Sequence, residues 1–182
     1  MIVLLGAVLV IAMLGGVAAL LVPGRVLAKD ERLAATLPER QPLTDTVPDA
    51  STREVMSRDG TRLHVVERGS GRPIVLVHGL GADHTVWGLQ FADLDRHRVI
   101  AFDTRGCGRS SPGVEGYGPH RNAEDLAAVL TALDVHDAIV VGHSLGGTTV
   151  AQLCVDHREV LQERVSGLAE TSRKPLALAI VS

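Results

Sequence analysis

Ala138-Ile139-Val140-Val141-Gly142-His143-Ser144-Leu145-Gly146-Gly147 is the stretch that decides how this chain folds. Its four leading residues form a continuous apolar run, the pattern of a strand buried on both sheet faces. A serine flanked by glycines then turns the chain. Leu145 to about His157 reads as a helix, with Val150, Leu153 and Cys154 facing inward. Gly142 and Gly146 are expected where the turn is too sharp for Cβ atoms, and Gly147 where the helix lies close to the sheet. The Leu145 N–H opens the helix, where partial positive charge favours an oxyanion. A serine hydroxyl becomes a nucleophile only with a base to take its proton, so Ser144 is the candidate nucleophile.

Working outward, Pro73-Ile74-Val75-Leu76-Val77 and Arg98-Val99-Ile100-Ala101-Phe102 are two further buried-strand runs. Upstream, Arg53 to Ser57 and Arg62 to Arg68 read as short strands joined at Asp59-Gly60, a hairpin turn signal. A helix is expected from about Arg121 to Asp134, with Leu126, Val129, Leu130 and Leu133 on one stripe. Strands alternating with helices predict an α/β class built on a mostly parallel sheet with flanking helices. In such sheets reactive residues gather at the carboxyl ends of strands, which is where His78, Asp103 and Ser144 fall.

Two loops accompany the serine. His78-Gly79-Leu80-Gly81 follows a strand and offers a second N–H, from Leu80, to the same oxyanion; the plainer alternative is a strand-to-loop turn with a capping histidine. Asp103-Thr104-Arg105-Gly106-Cys107-Gly108-Arg109-Ser110 follows the next strand. Here Asp103 and Arg105 are expected to hold loops through a charge pair and backbone hydrogen bonds, a structural role.

With these three markers in order, residues from about Thr52 to Leu168 resemble the first half of an α/β-hydrolase domain. The resemblance implies Ser144 as nucleophile and the amides of Leu80 and Leu145 as oxyanion hole. It leaves His78, Gly79, Asp103, Arg105, Gly142, His143 and Gly146 to shape the loops. Because the nucleophile position is Ser rather than Asp, the chain looks closer to esterases, lipases and related acyl hydrolases than to dehalogenases or epoxide hydrolases. An acyltransferase shares the same elbow. The implied substrate is a small molecule, apolar or an acyl ester, and no cofactor is implied.

The resemblance also implies an acid and then a histidine after the serine. Only 38 residues follow Ser144 in the 182-residue chain, and His157 is the sole histidine among them. At about 1.5 Å per helical residue, His157 is expected roughly 20 Å from the serine. The domain is therefore expected to be C-terminally incomplete, stopping before the acid and the histidine. The alternative is a catalytically inactive fragment or a non-enzymatic binding module. Arg164 to Leu168 starts like the next strand, but Ala169 to Lys174 interrupts the apolar run. Glu170 reads either as an acid at a strand end or as a polar tail residue. Leu176 to Val181 is apolar and is expected to stay exposed unless something covers it, and the last sheet edge is expected to be open.

Composition narrows the rest. Hydrophobic residues make up 46% of the chain but only four are aromatic, Trp87, Phe91, Phe102 and Tyr117, so the core must be packed with aliphatic side chains. A net charge of -3 with scattered basic residues gives no footprint for nucleic acid. Cys107 and Cys154 read as two reduced thiols rather than a bridge, and neither has a neighbour at metal-ligand spacing, so no metal is expected.

The N-terminus adds a membrane expectation. Ile2 to Val22 carries no charged or polar side chain and ends at Pro23-Gly24. As a helix these residues span about 31 Å, close to the roughly 30 Å of a bilayer's hydrocarbon core. The chain is thus read as a single transmembrane helix at 1–24, a proline-containing linker at 25–50 and the partial α/β-hydrolase domain at 51–182. Small residues near Val26-Leu27-Ala28 leave signal-peptide cleavage as one alternative, and a buried core helix is another. Arg25, Lys29 and Arg32 all follow the span, which tilts the domain toward the cytoplasmic side.

Overall fold

The apolar runs become the centre of one seven-stranded sheet. The computed structural model describes residues 47–171 and 177–180. Strands β1 (Ser51–Met56), β2 (Arg62–Arg68), β3 (Pro73–Val77), β4 (Arg98–Phe102), β5 (Ala138–His143), β6 (Val165–Thr171) and β7 (Ala177–Ile180) lie in the order β1-β2-β4-β3-β5-β6-β7. The four central strands, β4, β3, β5 and β6, run parallel, while β1, β2 and β7 add antiparallel edges. Val75 on β3 faces Ile100 on β4 and Val140 on β5, so three β-branched residues stack across the middle of the sheet.

Asp59-Gly60 turns β1 into β2 as the sequence indicates. Gly60 takes φ +85°, and the Asp59 carboxylate accepts the Thr61 N–H at 3.0 Å. Four helices lie among the described residues: α1 (Gly88–Asp93), which follows a 3-10 turn at His84–Trp87, then α2 (Pro119–Ala132), α3 (Leu145–Asp156) and α4 (Arg158–Arg164). Helix α2 begins two residues earlier than the hydrophobic stripe alone indicates, because Pro119 is preorganised for a first helical turn. Its stripe holds: Leu126, Val129 and Leu130 are fully buried and Leu133 nearly so.

The sheet separates two apolar layers. Leu63, Val65, Val75, Ile100, Phe102 and Val140 pack on one side with α2 and α3 residues such as Leu126, Leu130 and Leu153. On the other side Val66, Leu76 and Val99 pack with Trp87 and Phe91. Cys154 is half-buried against the first layer, and its thiol donates to the Val150 carbonyl at 3.3 Å. Both cysteines are free.

The C-terminal end differs from the sequence reading. Strand β6 does not stop at Leu168 but runs through Ala169 and Glu170 to Thr171. The apparent break in the apolar run is a period of two: Val165 and Ala169 are buried, while Ser166 and Leu168 are only half so. One more strand than expected follows it, since β7 pairs antiparallel along its outer edge, with Leu168 opposite Ala179 and Ala169 opposite Leu178, and β7 is the last strand of the described sheet. Among the described residues no helix is long and apolar enough to cross a membrane. The expected anchor at 2–22 and the linker up to residue 46 lie outside the described residues.

Candidate active site

Strand β5 delivers Ser144 to the carboxyl end of the sheet, and α3 starts at the next residue. Ser144 adopts φ +53° and ψ -112°, a backbone conformation that a residue with a side chain takes only when its surroundings impose it. The surroundings here are backbone packed on backbone. A Cβ at Gly142 would stand 2.5 Å from the carbonyl carbon and oxygen of Gly146, and one at Gly146 would overlap the Val77 carbonyl. Neither side can yield, so only glycine lets the turn close this tightly. The serine itself is exposed.

The loop after β3 is pressed against this turn. A Cβ at Gly79 would lie 3.1 Å from the His143 carbonyl oxygen and 3.3 Å from Ser144 Cβ. Leu80, the next residue, is 80% exposed and lines an open cleft of about 290 Å³ together with Leu145, Thr104, Cys107, Tyr117 and Asn122. The two residues singled out as amide donors, Leu80 and Leu145, thus share one cleft wall. Leu145 heads α3, where backbone N–H groups have no intrahelical acceptor.

The histidines of the site do different work. His78 is buried, and its Nε2 accepts the Thr104 N–H at 3.0 Å. That leaves the ring proton on Nδ1, which donates to the Gly79 carbonyl at 2.8 Å. Burial pushes the His78 imidazole below its ordinary pKa. Both ring nitrogens are spent bracing the loop that carries Leu80. His143 is exposed and sets its ring edge-on to Trp87, with centroids 6.4 Å apart. His157 caps the far end of α3, as expected from helix length.

Asp103 and Arg105 hold loops, but not as a pair with each other. Asp103 is fully buried and accepts the His84 N–H at 2.7 Å, His84 Nδ1–H at 2.8 Å and the Arg109 N–H at 2.8 Å. Burial alone would raise its carboxyl pKa, but these hydrogen bonds outweigh burial and hold it below the ordinary range. Arg105 instead grips Asp125 of α2 with two bonds, Nε to Oδ2 at 2.8 Å and Nη2 to Oδ1 at 2.7 Å. It also reaches Asp59 of the hairpin and the Gly116 carbonyl, both at 2.9 Å. Hydrogen bonding to Asp125 pushes the guanidinium further above its already high pKa. His84 and Asp125 carry no local motif and sequence reasoning missed both, while Asp59 is legible as a hairpin residue but not as a partner of Arg105.

Glu170 is placed at a strand end after all. It lies in β6 opposite Gly142, and its side chain sits so close to α3 that a Cβ at Gly147 would stand 2.8 Å from Oε1. The glycine there gives the helix room to approach, as its position in the sequence suggests. Among the described residues no histidine bridges Glu170 and Ser144 by hydrogen bonds: His78 is committed elsewhere, His143 packs on Trp87 and His157 is at the other helix end.

The chain is similar to known proteins over part of its length. The chain is 40% identical over 105 residues to a non-heme haloperoxidase of Rhodococcus erythropolis, covering 57% of this chain and 38% of that protein. It is 35% identical over 115 residues to the bifunctional epoxide hydrolase 2 of Rattus norvegicus, covering 61% of this chain and 21% of that one. An esterase from Exiguobacterium antarcticum superposes with a TM-score of 0.63 at 29% identity, covering 66% of this chain and 45% of the esterase. The chain therefore spans less than half the length of the relatives it matches. A family model described as the alpha/beta hydrolase fold matches residues 72–173, more than half of the chain. On that match, with the serine elbow and the parallel sheet that bears it, the chain belongs to the alpha/beta hydrolase fold family.

Proposed function

We propose that Ser144 is the nucleophile of an acyl-transfer site acting on carboxylic esters, with the N–H groups of Leu80 and Leu145 receiving the oxyanion. The observation that carries this reading is the backbone of Ser144, held at φ +53° between glycines and exposed beside the cleft. Attack of Oγ on an ester carbonyl moves negative charge to the carbonyl oxygen. Two amides on one cleft wall are suited to receive that charge, and loss of one such donor costs about 10²–10³ in rate. The apolar cleft favours a small apolar or acyl-ester substrate, and the esterase likeness supports the same class. Residues 2–22 are proposed to hold the domain at a bilayer, where apolar esters concentrate.

A second reading is a non-catalytic module on the same scaffold. It is favoured by one observation: His78, the buried histidine beside the elbow, has both nitrogens engaged and cannot serve as base. Hydrolysis of an activated aryl ester by the parent chain and by Ser144→Ala separates the two. The nucleophile reading expects slow turnover in the parent, above the roughly 10³–10⁴-fold over water that oxyanion binding alone sustains, and a fall to that level in the variant. Equal rates for the two chains support the module.

A further inference from the structure

Away from the serine, the fold assembles a second set of chemically able side chains. His64 lies in β2, His84 opens the 3-10 turn after β3, and Asp103 follows β4. One ring nitrogen from each histidine and one carboxylate oxygen of Asp103 all lie within 4.8 Å of one another. The ring centroids are 5.1 Å apart and the planes are tilted by 59°, so the imidazoles converge rather than stack. Because the three residues come from separate segments, their spacing carries no ligand motif.

Hydrogen bonding leaves part of this cluster unsatisfied. Asp103 accepts Nδ1–H of His84, which fixes that ring's proton on Nδ1 and leaves Nε2 with a free lone pair. Nε2 of His84 and Nε2 of His64 are both buried without a hydrogen-bond partner. The residues retain 3% and 9% exposure, and Asp103 none. A buried polar atom without a partner destabilises a fold, and two in one cluster of side chains call for a common occupant. A lone pair needs an electrophile, which a cation supplies. A carboxylate hydrogen-bonded to one nitrogen of an imidazole is also the arrangement that orients such a ring toward a metal through the other.

We propose that Nε2 of His64 and Nε2 of His84 bind a divalent transition-metal cation of the Zn²⁺ type, with Asp103 orienting His84 through Nδ1. Imidazole donors suit Zn²⁺ and its neighbours, whereas Mg²⁺ and Ca²⁺ prefer oxygen donors throughout. The buried Asp103 charge offsets part of the cation's own. Bound there, the ion ties β2 to the segment that continues from Leu80, which Asp103 at the end of β4 holds by hydrogen bonds, so it braces the loop beside Ser144 without entering the cleft's chemistry.

The test uses the full chain without a histidine tag, stripped with chelator and titrated with Zn²⁺ by calorimetry. The site predicts one ion per chain and a raised melting temperature. X-ray absorption at the zinc edge should show two imidazoles and no sulfur in the coordination shell. His64→Gln and His84→Gln should each weaken binding by more than about 100-fold, beyond the roughly 10–100-fold cost of losing a group that only orients a ligand. A variant lacking the surface histidines His120 and His136 should bind as the parent does. Three results overturn the proposal: no binding by the folded parent, sulfur in the shell, or binding that survives His64→Gln and fails without the surface histidines. Should His84→Gln not fold, the parent's spectrum and His64→Gln still decide.

Discussion

Gly79 and Ser144 are packed so closely that a Cβ on the glycine would lie 3.3 Å from Cβ of the serine. The same Cβ would lie 3.1 Å from the His143 carbonyl oxygen. Contact this tight sets where the neighbouring Leu80 amide can be. Gly79→Ala should displace the loop by a few tenths of an ångström while the sheet stays intact. The expected result is an ester-cleavage rate about tenfold lower with little change in melting, since misplacement by about 1 Å can cost 10²-fold. An unchanged rate would separate Leu80 from the oxyanion.

Gly146 tests the elbow itself. A Cβ there overlaps the Val77 carbonyl and stands 2.9 Å from the His78 carbonyl oxygen, so α3 must move away from β3 to accept it. Gly146→Ala should lose about 1–3 kcal/mol of stability, the usual cost of overpacking a dense interior. Denaturant unfolding measures it. A variant as stable as the parent would mean that α3 packs less closely than described.

The Arg105–Asp125 pair fastens the loop after β4 to α2. Both side chains are fully buried and joined by two bonds. Removing Asp125 leaves Arg105 with Asp59 as its remaining carboxylate partner, so Asp125→Ala should cost about 1.5–3 kcal/mol, the loss of charged hydrogen bonds. Arg105→Lys should also destabilise, because an ammonium cannot make both bonds to Asp125 while still reaching Asp59. Retention of full stability by Arg105→Lys would contradict the two-point grip.

Acid should weaken the fold in two separate windows. Burial lowers the pKa of His64 and of His78, so the unfolded chain takes up their protons first. Stability is therefore full above the ordinary histidine value of about 6.5 and falls as pH drops below it toward the folded-state values. Asp103 is held below its ordinary carboxyl value, so its contribution is present above about pH 3.9 and lost as pH falls further through the folded value. In chelator, His64→Gln should flatten the upper window and Asp103→Asn the lower one. Parallel pH profiles for parent and His64→Gln would contradict the assignment.

The parts of the fold that the sequence discloses are those with local causes. Strands β2, β3 and β4 have the ends their residues suggest, because each run stops at turn-forming or charged residues. The glycines around Ser144 are equally legible, since a sharp turn needs them wherever it occurs. What stays hidden depends on distant segments. His84 meets Asp103 across 19 positions, and Arg105 meets Asp59 across 46. Strand β6 is obscured for another reason. With an antiparallel neighbour on its far edge it alternates buried and half-buried residues, and so lacks the continuous apolar run of a central strand.

Mass spectrometry after exposure to a fluorophosphonate tests the nucleophile most directly. The account predicts slow formation of a single adduct that peptide mapping places on Ser144, and none on Ser144→Ala. A folded parent chain that takes up no label, or that carries it on another residue, would contradict the reading of Ser144 as the reacting group.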